Sequence, residues 1–464
     1  VARAEKTFAS IASPQPPPGS VGDASHLPPV AMEVATPVVA AEETLRTLLA
    51  QAAREERKVT IAGTRHSMGG HTLYPGGLSI DLRNFDTLTL DTNHRLLRAG
   101  AGARWTDVIR YLDARGYSVA VMQSNDDFSV GGSLSVNCHG WQHNASPIAG
   151  TVESLRVMLA DGTVRFCSRT DNTELFRLVL GGYGLFGIIL EAELRVVPNE
   201  FYRAIRRSCT VRDYVDVFRE MTRADVGMAY GRISVAPDSF LQEASVTTFL
   251  RTTPPRAVTS TLLVHVEPPA IKRFVFRGSV RSDYGKNLRW RLEKWFGEVG
   301  DAIWSRNQIQ FEPSGWFENR DPAGTDILHE YFLPARTLAT FVERIAPILR
   351  EESADLLNIT VRNVHPDADT FLTYAPGERF GLVMLFHQPR TAAGEAAMAR
   401  LTRRMIDAAL ACDGRYYLPY RLHATREQFY RSYPQAAEFF ALKAKYDPTL
   451  RFQNSFYRDY GPSP

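Results

Sequence analysis

The stretch VTIAGTRHSMGGHTLYPGGLSIDLRNF, residues 59–85, decides how the chain is organised. Two apolar segments, VTIAG and LSIDLRN, read as β-strands and flank a loop rich in glycine. Glycines let successive backbone N–H groups converge on an anion, while hydroxyl and imidazole groups add donors and a nucleophile. The residues alone indicate either a strand-ending phosphate loop or a flexible polar turn. The loop residues are Gly63, Thr64, Arg65, His66, Ser67, Met68, Gly69 and Gly70.

Composition limits the class of protein. The chain has 464 residues, of which 44% are hydrophobic and 23% charged, and a net charge of +3, so it is long enough for two domains and is not a nucleic-acid-binding type. No apolar run approaches the roughly 20 residues that a bilayer-spanning helix needs. The cysteines are widely spaced and predict neither a disulfide scaffold nor a zinc knuckle. They are Cys138, Cys167, Cys209 and Cys412.

The N-terminal segment, residues 1–29, is rich in proline and begins with Val rather than Met. Such a segment is typical of a leader that follows a removed signal or anchor, and a trimmed chain looks the same. We therefore expect a soluble protein, either exported or periplasmic after removal of an N-terminal segment, or cytoplasmic.

Hydrophobic patterns divide the rest of the chain into an α+β arrangement. Residues 41–58 carry leucines at helical spacing and predict an amphipathic helix. Beyond residue 200, apolar strands such as TSTLLVHVE, DLLNITVRNVHP and FGLVMLFHQ alternate with helices such as ARTLATFVERIAPILREE and GEAAMARLTRRMIDAAL, which predicts a sheet covered by helices. We expect one domain over residues 30–199, a second over 200–412, and a return to the first over 413–464.

Two other motifs suggest different cofactors. GAGARW opens a helix like a dinucleotide fingerprint, but Trp105 replaces the third glycine and no strand–helix–strand unit follows. HGWQH places His139 and His143 four residues apart, as zinc ligands on a helix would be. Gly140 argues against a helix there, and no Glu follows His139, so we expect pocket or loop histidines and no metal site.

Four segments together resemble the flavin-binding segments of the vanillyl-alcohol-oxidase, or PCMH-type, family of FAD-binding oxidoreductases. They are VTIAGTRHSMGGHTLYPGGLSIDLRNF, VGGSLSVNCHGWQHNASPIAGTVESLRVMLADG, LFRLVLGGYGLFGIILEAELRVVPN and KAKYDPTLRFQNSFY. The resemblance covers about residues 30–198 and 413–460. It implies an α+β fold with a two-subdomain FAD-binding domain and an α+β substrate, or cap, domain.

Position by position, the resemblance makes residues 63–70 the pyrophosphate cradle. It makes His66 the covalent link to the flavin 8α-methyl, as in cytokinin dehydrogenases, alditol oxidases and sugar-lactone oxidases, with His71 as a neighbour. The middle segment is also similar to the decaprenylphosphoryl-ribose oxidase group, which lacks the covalent histidine. Cys138 is either a second flavin link or, as we expect, a buried inert thiol. The further expected FAD contacts are Gly132, Ser133, Ser135, Asn137, Cys138, His139, Gly140, Gly187, Ile188 and Asn454.

The substrate side is less clear. Arg362 matches an arginine of alditol-oxidase-like enzymes, but Thr360 stands where their carboxylate would be, and His423 takes the place of a lysine. We expect Arg362 to stabilise developing charge and His423 to accept a hydroxyl proton, the alternatives being a surface ion pair and a hydrogen-bonded tail histidine. Glu330 and His387 are further catalytic candidates.

The sequence therefore predicts an FAD-dependent oxidoreductase that takes a hydride from a C–H beside a hydroxyl of a sugar, polyol or lactone-like molecule. Its electron acceptor would be oxygen or a quinone- or dye-like compound. One alternative keeps the fold but uses an amine or phenolic substrate and an acceptor other than oxygen, with Tyr416, Tyr417 and Tyr420 against a flat ligand. Another is a flavin-free binding protein.

Overall fold

The computed structural model describes residues 19–253, 263, 270–295, 302–312, 319 and 321–462. Most of the Pro-rich leader lies outside the described residues. The predicted strand TSTLLVHVE, residues 259–267, also lies outside them except for Leu263. Within the described part of the chain, no helix is both long and apolar enough to cross a bilayer.

A small parallel sheet carries the loop that opened the sequence analysis. The predicted amphipathic helix is present, and it buries Leu45, Leu49 and Ala52 at helical spacing. In this sheet the central strand β5, Leu78–Asp81, pairs in parallel with β3, Glu33–Ala35, on one side and with β4, Val59–Ala62, on the other. Because β4 and β5 are parallel, the glycine loop after β4 begins a connection that runs from the end of β4 back to the start of β5. The elements are β1 Ser20–Val21, β2 Val30–Ala31, β3 Glu33–Ala35, α1 Glu42–Arg54, β4 Val59–Ala62 and β5 Leu78–Asp81.

A second, antiparallel sheet follows in the order β10-β9-β11-β7-β6, with β8 paired to β11. Strands β6 and β7 pair as an antiparallel hairpin. The elements are β6 Leu88–Asp91, β7 Leu96–Gly100, α2 Trp105–Asp113, β8 Tyr117–Val119, α3 Val130–Ser135, β9 Val152–Met158, β10 Val164–Ser168, α4 Thr173–Val179 and β11 Ile188–Pro198. A short 3₁₀ turn precedes β9 at Ile148–Thr151.

The middle of the chain forms an eight-stranded antiparallel sheet in the order β15-β12-β14-β13-β17-β18-β16-β19. Its strands are β12 Phe201–Thr210, β13 Val226–Ile233, β14 Glu243–Arg251, β15 Ile303–Ser305, β16 Gly324–Leu333, β17 Asp355–Val364, β18 Arg379–Pro389 and β19 Arg415–Tyr416. Its helices are α5 Tyr214–Met221, α6 Ala270–Arg277, α7 Asp283–Trp295, α8 Arg306–Gln310, α9 Leu338–Glu351 and α10 Ala392–Leu410. Short 3₁₀ turns lie at Pro237–Ser239 and Ala335–Thr337. We call this part the cap, and with it the predicted α+β fold class is confirmed.

The C-terminal segment returns to the first sheet. Val59 donates its N–H to the Arg451 carbonyl at 2.8 Å, and Gln453 donates to the Val59 carbonyl at 3.1 Å, so the returning chain adds to the edge at β4. Buried Asp447 accepts the N–H groups of Arg451 and Phe452 and pairs with buried Lys443, which fixes the preceding turn. The helices of this segment are α11 Arg426–Ser432, α12 Ala436–Tyr446 and α13 Ser455–Tyr460.

Candidate active site

The glycine loop presents a row of free backbone donors. From Thr64 to Gly70, no backbone N–H donates to another residue that the structure describes. Arg65 has a left-handed backbone, φ 58°, and its guanidinium turns back to the sheet, 3.1 Å from Ser79 Oγ and 3.8 Å from Asp81 Oδ2. This side chain anchors the loop while the N–H groups stay available. Successive free N–H groups of this kind form an anion-binding concavity, here called the N–H nest.

The nest continues into a narrow groove where only glycine fits. A Cβ on Gly63 would lie 2.1 Å from Ser129 Oγ, and a Cβ on Gly132 would lie 3.0 Å from the same atom. Ser129 directly precedes α3, so the glycine loop and the start of α3 approach each other across Ser129. The absence of a side chain at these positions is what allows both backbones to pack closely against Ser129.

His66 is a half-buried imidazole at the wall of the groove, with 30% of its side chain exposed. Its ring stacks on Phe128 with ring centroids 4.5 Å apart, and its Nε2 lies 3.9 Å from Asp127 Oδ2. Burial lowers the pKa of His66, and the Asp127 charge opposes this only in part. The imidazole is therefore neutral near pH 7 and keeps a nucleophilic nitrogen.

His71 is a scaffold residue. Its backbone N–H donates to Ser67 Oγ at 3.0 Å, and its ring contacts the rings of Tyr183 and Phe456. Burial lowers the pKa of His71 to about 4, so it is uncharged. The expectation that His71 is a neighbour of the cofactor site agrees with this position in the cleft wall.

A single elongated cleft joins the N–H nest to the cap and holds about 1430 Å³ of space, part of it open to solvent. Most of the expected FAD contacts line it, namely Gly63, Thr64, Arg65, His66, Ser67, Met68, Gly132, Ser133, Ser135, Cys138, His139 and Gly187. The others are not among the described lining residues: Gly69, Gly70, Asn137, Gly140, Ile188 and Asn454.

Two of these six residues position other parts of the site. Asn137 donates to Asp367 Oδ2 at 2.9 Å and accepts the Ala149 N–H at 3.1 Å. Asn454 donates to the carbonyl of Tyr183, a lining residue, at 2.8 Å. Both amides are buried and bonded, so each acts through its neighbours.

Cys138 lines the cleft as a buried thiol, and burial raises its pKa to about 12. A thiol with so high a pKa carries almost no thiolate near pH 7, and the thiolate is the nucleophile. The geometry thus favours the inert interpretation of Cys138 over a second flavin link.

At the cap end, a carboxylate and a guanidinium face the cleft from neighbouring parts of the sheet. Glu330 Oε1 on β16 lies 2.7 Å from His139 Nε2, and Tyr420 donates its hydroxyl to Glu330 Oε2 at 3.2 Å. Arg362 on β17 donates to the His139 carbonyl at 3.2 Å and to Ser124 Oγ at 2.6 Å. Its Nε is buried without a partner among the described residues. Two of the predicted catalytic candidates, Glu330 and Arg362, therefore both line the cleft.

The strand register explains how the carboxylate reaches this place. Thr360 and Glu330 both pair with Val383, so all three side chains lie in one row on one face of the sheet. A Cβ on Gly381, the partner of Arg362, would lie 3.0 Å from Glu330 Oε1, so the carboxylate leans over this glycine. Thr360 stands where alditol-oxidase-like enzymes have a carboxylate. In this protein the carboxylate on this face of the sheet is that of Glu330 on β16, two strands from β17.

The structure does not bring His423 and His387 to the cleft. His423 Nε2 lies 2.8 Å from Glu395 Oε1, and its Nδ1 lies 3.0 Å from Thr402 Oγ1 on α10. His387 Nδ1 lies 3.1 Å from Asp326 Oδ1. These partners hold both imidazoles away from the described cleft lining. The position of His423 therefore favours the alternative of a hydrogen-bonded tail histidine, and its role as the base stays a prediction.

Sequence reasoning did not predict one group of cleft-lining residues, and it assigned a second group only to an alternative substrate. The segment before α3 and the residue Tyr183 were not predicted, although the polar run QSNDDFS beside a glycine pair was a usable signal. Tyr417 and Tyr420 were assigned only to an alternative substrate, and Tyr416 is not among the described lining residues. The added lining residues are Gln123, Ser124, Asn125, Phe128, Ser129, Tyr183, Tyr417 and Tyr420.

An N–H nest, a neutral imidazole and a glycine-lined groove that ends at a carboxylate suit a nucleotide cofactor with a pyrophosphate. Residues 35–168 match the family model described as FAD binding domain. Over these residues, the resemblance to PCMH-type FAD-binding oxidoreductases is confirmed.

Individual relatives cover parts of the chain. An uncharacterised oxidoreductase of the fasciation locus of Rhodococcoides fascians is 30% identical over 227 residues, which is 48% of this chain and 50% of the relative. Decaprenylphosphoryl-β-D-ribose oxidase of Mycolicibacterium smegmatis is 30% identical over 31% of this chain and 32% of its own. L-gulonolactone oxidase of Mus musculus is 27% identical over 37% of this chain and 39% of its own. The chain thus spans half or less of the length of these relatives.

Proposed function

We propose that the protein is an FAD-dependent oxidoreductase that oxidises a hydroxyl-bearing carbon of a sugar, polyol or lactone-like molecule. The observation that carries this proposal is the continuous cleft from the N–H nest to the Glu330–Arg362 end. The names of relatives agree with the substrate class, since they include L-gulonolactone oxidase, a putative D-arabinono-1,4-lactone oxidase and decaprenylphosphoryl-β-D-ribose oxidase.

The residues present fit FAD. The N–H nest offers donors for the pyrophosphate, and Gly63 and Gly132 line the cleft beside it. We infer that the neutral imidazole of His66 bonds the flavin covalently. When bound, FAD supplies the acceptor for the hydride that leaves the substrate carbon.

The residues of this chain handle the proton and the charge. We assign Glu330 as the group that takes the proton of the substrate hydroxyl, because its carboxylate faces the cleft and Tyr420 holds its second oxygen. Arg362 lies beside it and stabilises negative charge on the substrate oxygen as that proton leaves. One O–H bond and one C–H bond would break and the C–O bond would become a double bond, the proton going to Glu330 and the hydride to the acceptor that FAD would supply.

One observation favours a second substrate class. Tyr417 and Tyr420 line the same end of the cleft as the Glu330 carboxylate, which suits a flat, cationic amine or a phenol. A relative named cytokinin dehydrogenase 2 of Arabidopsis thaliana is 31% identical over 30% of this chain. In this case the acceptor would be a compound other than oxygen. The FAD-binding domain leaves the flavin-free alternative without support.

The test is anaerobic reduction of the purified, flavin-loaded protein by a panel of polyols, sugar lactones, amines and phenols, followed as bleaching of flavin absorption. We expect a polyol or lactone to bleach the flavin. Bleaching by amines or phenols alone would move the assignment to the second class. Protein that is folded and offered FAD but stays colourless would overturn both. Reoxidation by air or by a quinone then identifies the acceptor.

A further inference from the structure

Helix α7 is amphipathic, but several of its charged side chains face the protein and two of its aromatic side chains face outward. Its inner face buries Lys286, Arg289 and Trp290, and Glu293 lies on the same side. Long charged side chains are rarely buried unless they are paired, and here each has a partner. The polar groups of this helix are therefore used to hold it against the protein.

Those partners place α7 on the cap sheet. Lys286 Nζ lies 2.7 Å from Asp355 Oδ1, and Trp290 donates to Glu243 Oε2 at 2.6 Å. Arg232 on β13 lies 3.1 Å from Glu293. The helix is thus pinned across several strands by polar contacts.

The strand register shows which face of the sheet α7 covers. Arg232 pairs with Thr360, and Arg232 also approaches the Thr360 hydroxyl at 3.4 Å. Thr360 and Arg362 lie two residues apart on β17, so their side chains share one face. Helix α7 therefore lies on the same face of the cap as the candidate active site.

The outer face of α7 carries exposed aromatic side chains. Tyr284 is 72% exposed and Trp295 is 78% exposed, and Leu288 lies between them only half-buried. At about 100° per residue these three side chains fall within about 40° of each other around the helix axis. Phe274 on the neighbouring helix α6 is 78% exposed. We call Tyr284, Leu288 and Trp295 the aromatic face.

Positive charge surrounds the aromatic face. Residues 270–295 contain eight basic and two acidic residues, whereas the whole chain has a net charge of +3. Several of the basic residues are neutralised by the sheet, but Arg281 and Arg291 are exposed and form no ion pair with another described residue. Arg291 lies on the same side of the helix as Tyr284 and Trp295.

We propose that the aromatic face docks on the surface of an anionic lipid bilayer. Trp and Tyr rings favour the headgroup level of a bilayer, and Lys and Arg near the surface are attracted by anionic lipid. A second copy of this chain fits less well, because a two-fold contact would set Arg281 and Arg291 of one copy against the same charges of the other. Docking here would put the face that carries Arg362 next to the membrane.

The experiment is co-sedimentation of the full chain with vesicles of phosphatidylcholine alone or mixed with phosphatidylglycerol. We expect binding to the mixed vesicles, weakened at least about fivefold when salt rises from about 0.1 M to about 0.5 M, because surface charge is screened. We expect Tyr284→Ser with Trp295→Ser, and separately Arg281→Glu with Arg291→Glu, each to reduce the partition coefficient about tenfold or more. Phe166→Ser is the matched control, since Phe166 is an exposed aromatic on β10, and should bind as the wild type does.

Three results would overturn the proposal. The first is wild-type protein that stays in the supernatant with both vesicle types. The second is binding that neither double variant weakens while both keep the wild-type thermal unfolding midpoint. The third is a dimer by light scattering that the aromatic double variant dissociates, which would assign the aromatic face to a second copy of the chain.

Discussion

His139 Nε2 lies 2.7 Å from Glu330 Oε1, and both side chains are buried. His139 belongs to the segment after α3, within the part of the chain that matches the FAD-binding domain, whereas Glu330 lies on a cap strand. The carboxylate that faces the cleft is therefore held by a residue of the other half of the molecule. Its position depends on how the two halves pack.

Replacing this carboxylate tests the proposed chemistry. We expect Glu330→Gln to slow flavin reduction by about 10²–10⁴-fold, the usual contribution of a positioned general base, because the amide cannot take the hydroxyl proton. The measurement is stopped-flow flavin bleaching under anaerobic conditions. Since glutamine keeps the size of the side chain and can still accept from Tyr420, we expect the flavin content to be unchanged.

Two control variants separate this role from a general loss of structure. Glu343→Gln removes an exposed carboxylate that pairs with Arg212 and should leave the rate within about twofold of wild type. His423→Ala should also leave flavin reduction within about threefold, because His423 does not line the described cleft. A rate lost in His423→Ala but kept in Glu330→Gln would restore His423 as the base.

The covalent flavin link is tested by acid precipitation. We expect the wild-type pellet to stay yellow and the His66→Ala pellet to lose its colour, because the neutral Nε2 or Nδ1 of this imidazole is the bonding atom we propose. His94→Ala, at an exposed histidine of the β6–β7 turn, should keep its colour. If the colour washes out of the wild-type pellet, the flavin is not covalently bound and His66 only forms part of the groove wall.

The glycine groove can be closed by one methyl group. Gly63→Ala places a Cβ 2.1 Å from Ser129 Oγ, so we expect FAD retention to fall about tenfold or more. Adding Ser129→Gly to Gly63→Ala removes the opposing side chain and should restore most of the FAD retention. Retention is measured as the flavin-to-protein ratio after gel filtration.

A matched glycine controls for backbone effects. Gly22→Ala has no atom within 4 Å of the new Cβ and should retain FAD as the wild type does. If Gly63→Ala alone kept its flavin, the close approach of the loop and Ser129 would have no bearing on cofactor binding.

The ion pair between His423 and Glu395 predicts a pH-dependent stability. Burial disfavours the ionised carboxylate, but the hydrogen bond from His423 and the Arg421 charge outweigh it and lower the pKa of Glu395 from 4.5 to about 2. A depressed carboxyl pKa stabilises the fold above about pH 4.5, and this contribution is lost as the pH falls toward 2. We expect Glu395→Gln to lower the free energy of unfolding by about 1–2 kcal/mol at pH 6, less than the full pKa shift implies, because the side chain is 35% exposed.

Urea unfolding of both proteins from pH 6 to pH 3 measures this difference. The gap between wild type and Glu395→Gln should narrow steadily below about pH 4.5. Glu427→Gln, which changes an exposed carboxylate paired with Arg431, should show no such gap. A gap that stays constant to pH 3 would mean that the variant acts through packing and not through the charge.

Local patterns were enough to predict single elements, and the resemblance of four segments predicted the FAD-binding part of the chain. The spacing of Leu45 and Leu49 predicts α1, whereas the glycine loop by itself left an anion site and a polar turn open. Local patterns did not identify the partners of His423. Whether the side chain of a histidine points into a cleft or contacts a neighbouring helix depends on tertiary packing. Here Glu395 and Thr402 of α10 contact His423.

The sequence by itself determined the α+β pattern, since this follows from residue spacing, and its resemblance to a known family indicated the FAD-binding segments and the candidate residue His66. The tertiary structure decided which carboxylate faces the cleft. Glu330 stands opposite Val383 and leans over Gly381 because three strands pair in one register, and His139 reaches it because the two halves pack together. Residues so far apart in sequence are joined only by sheet register and domain packing, which no local pattern contains.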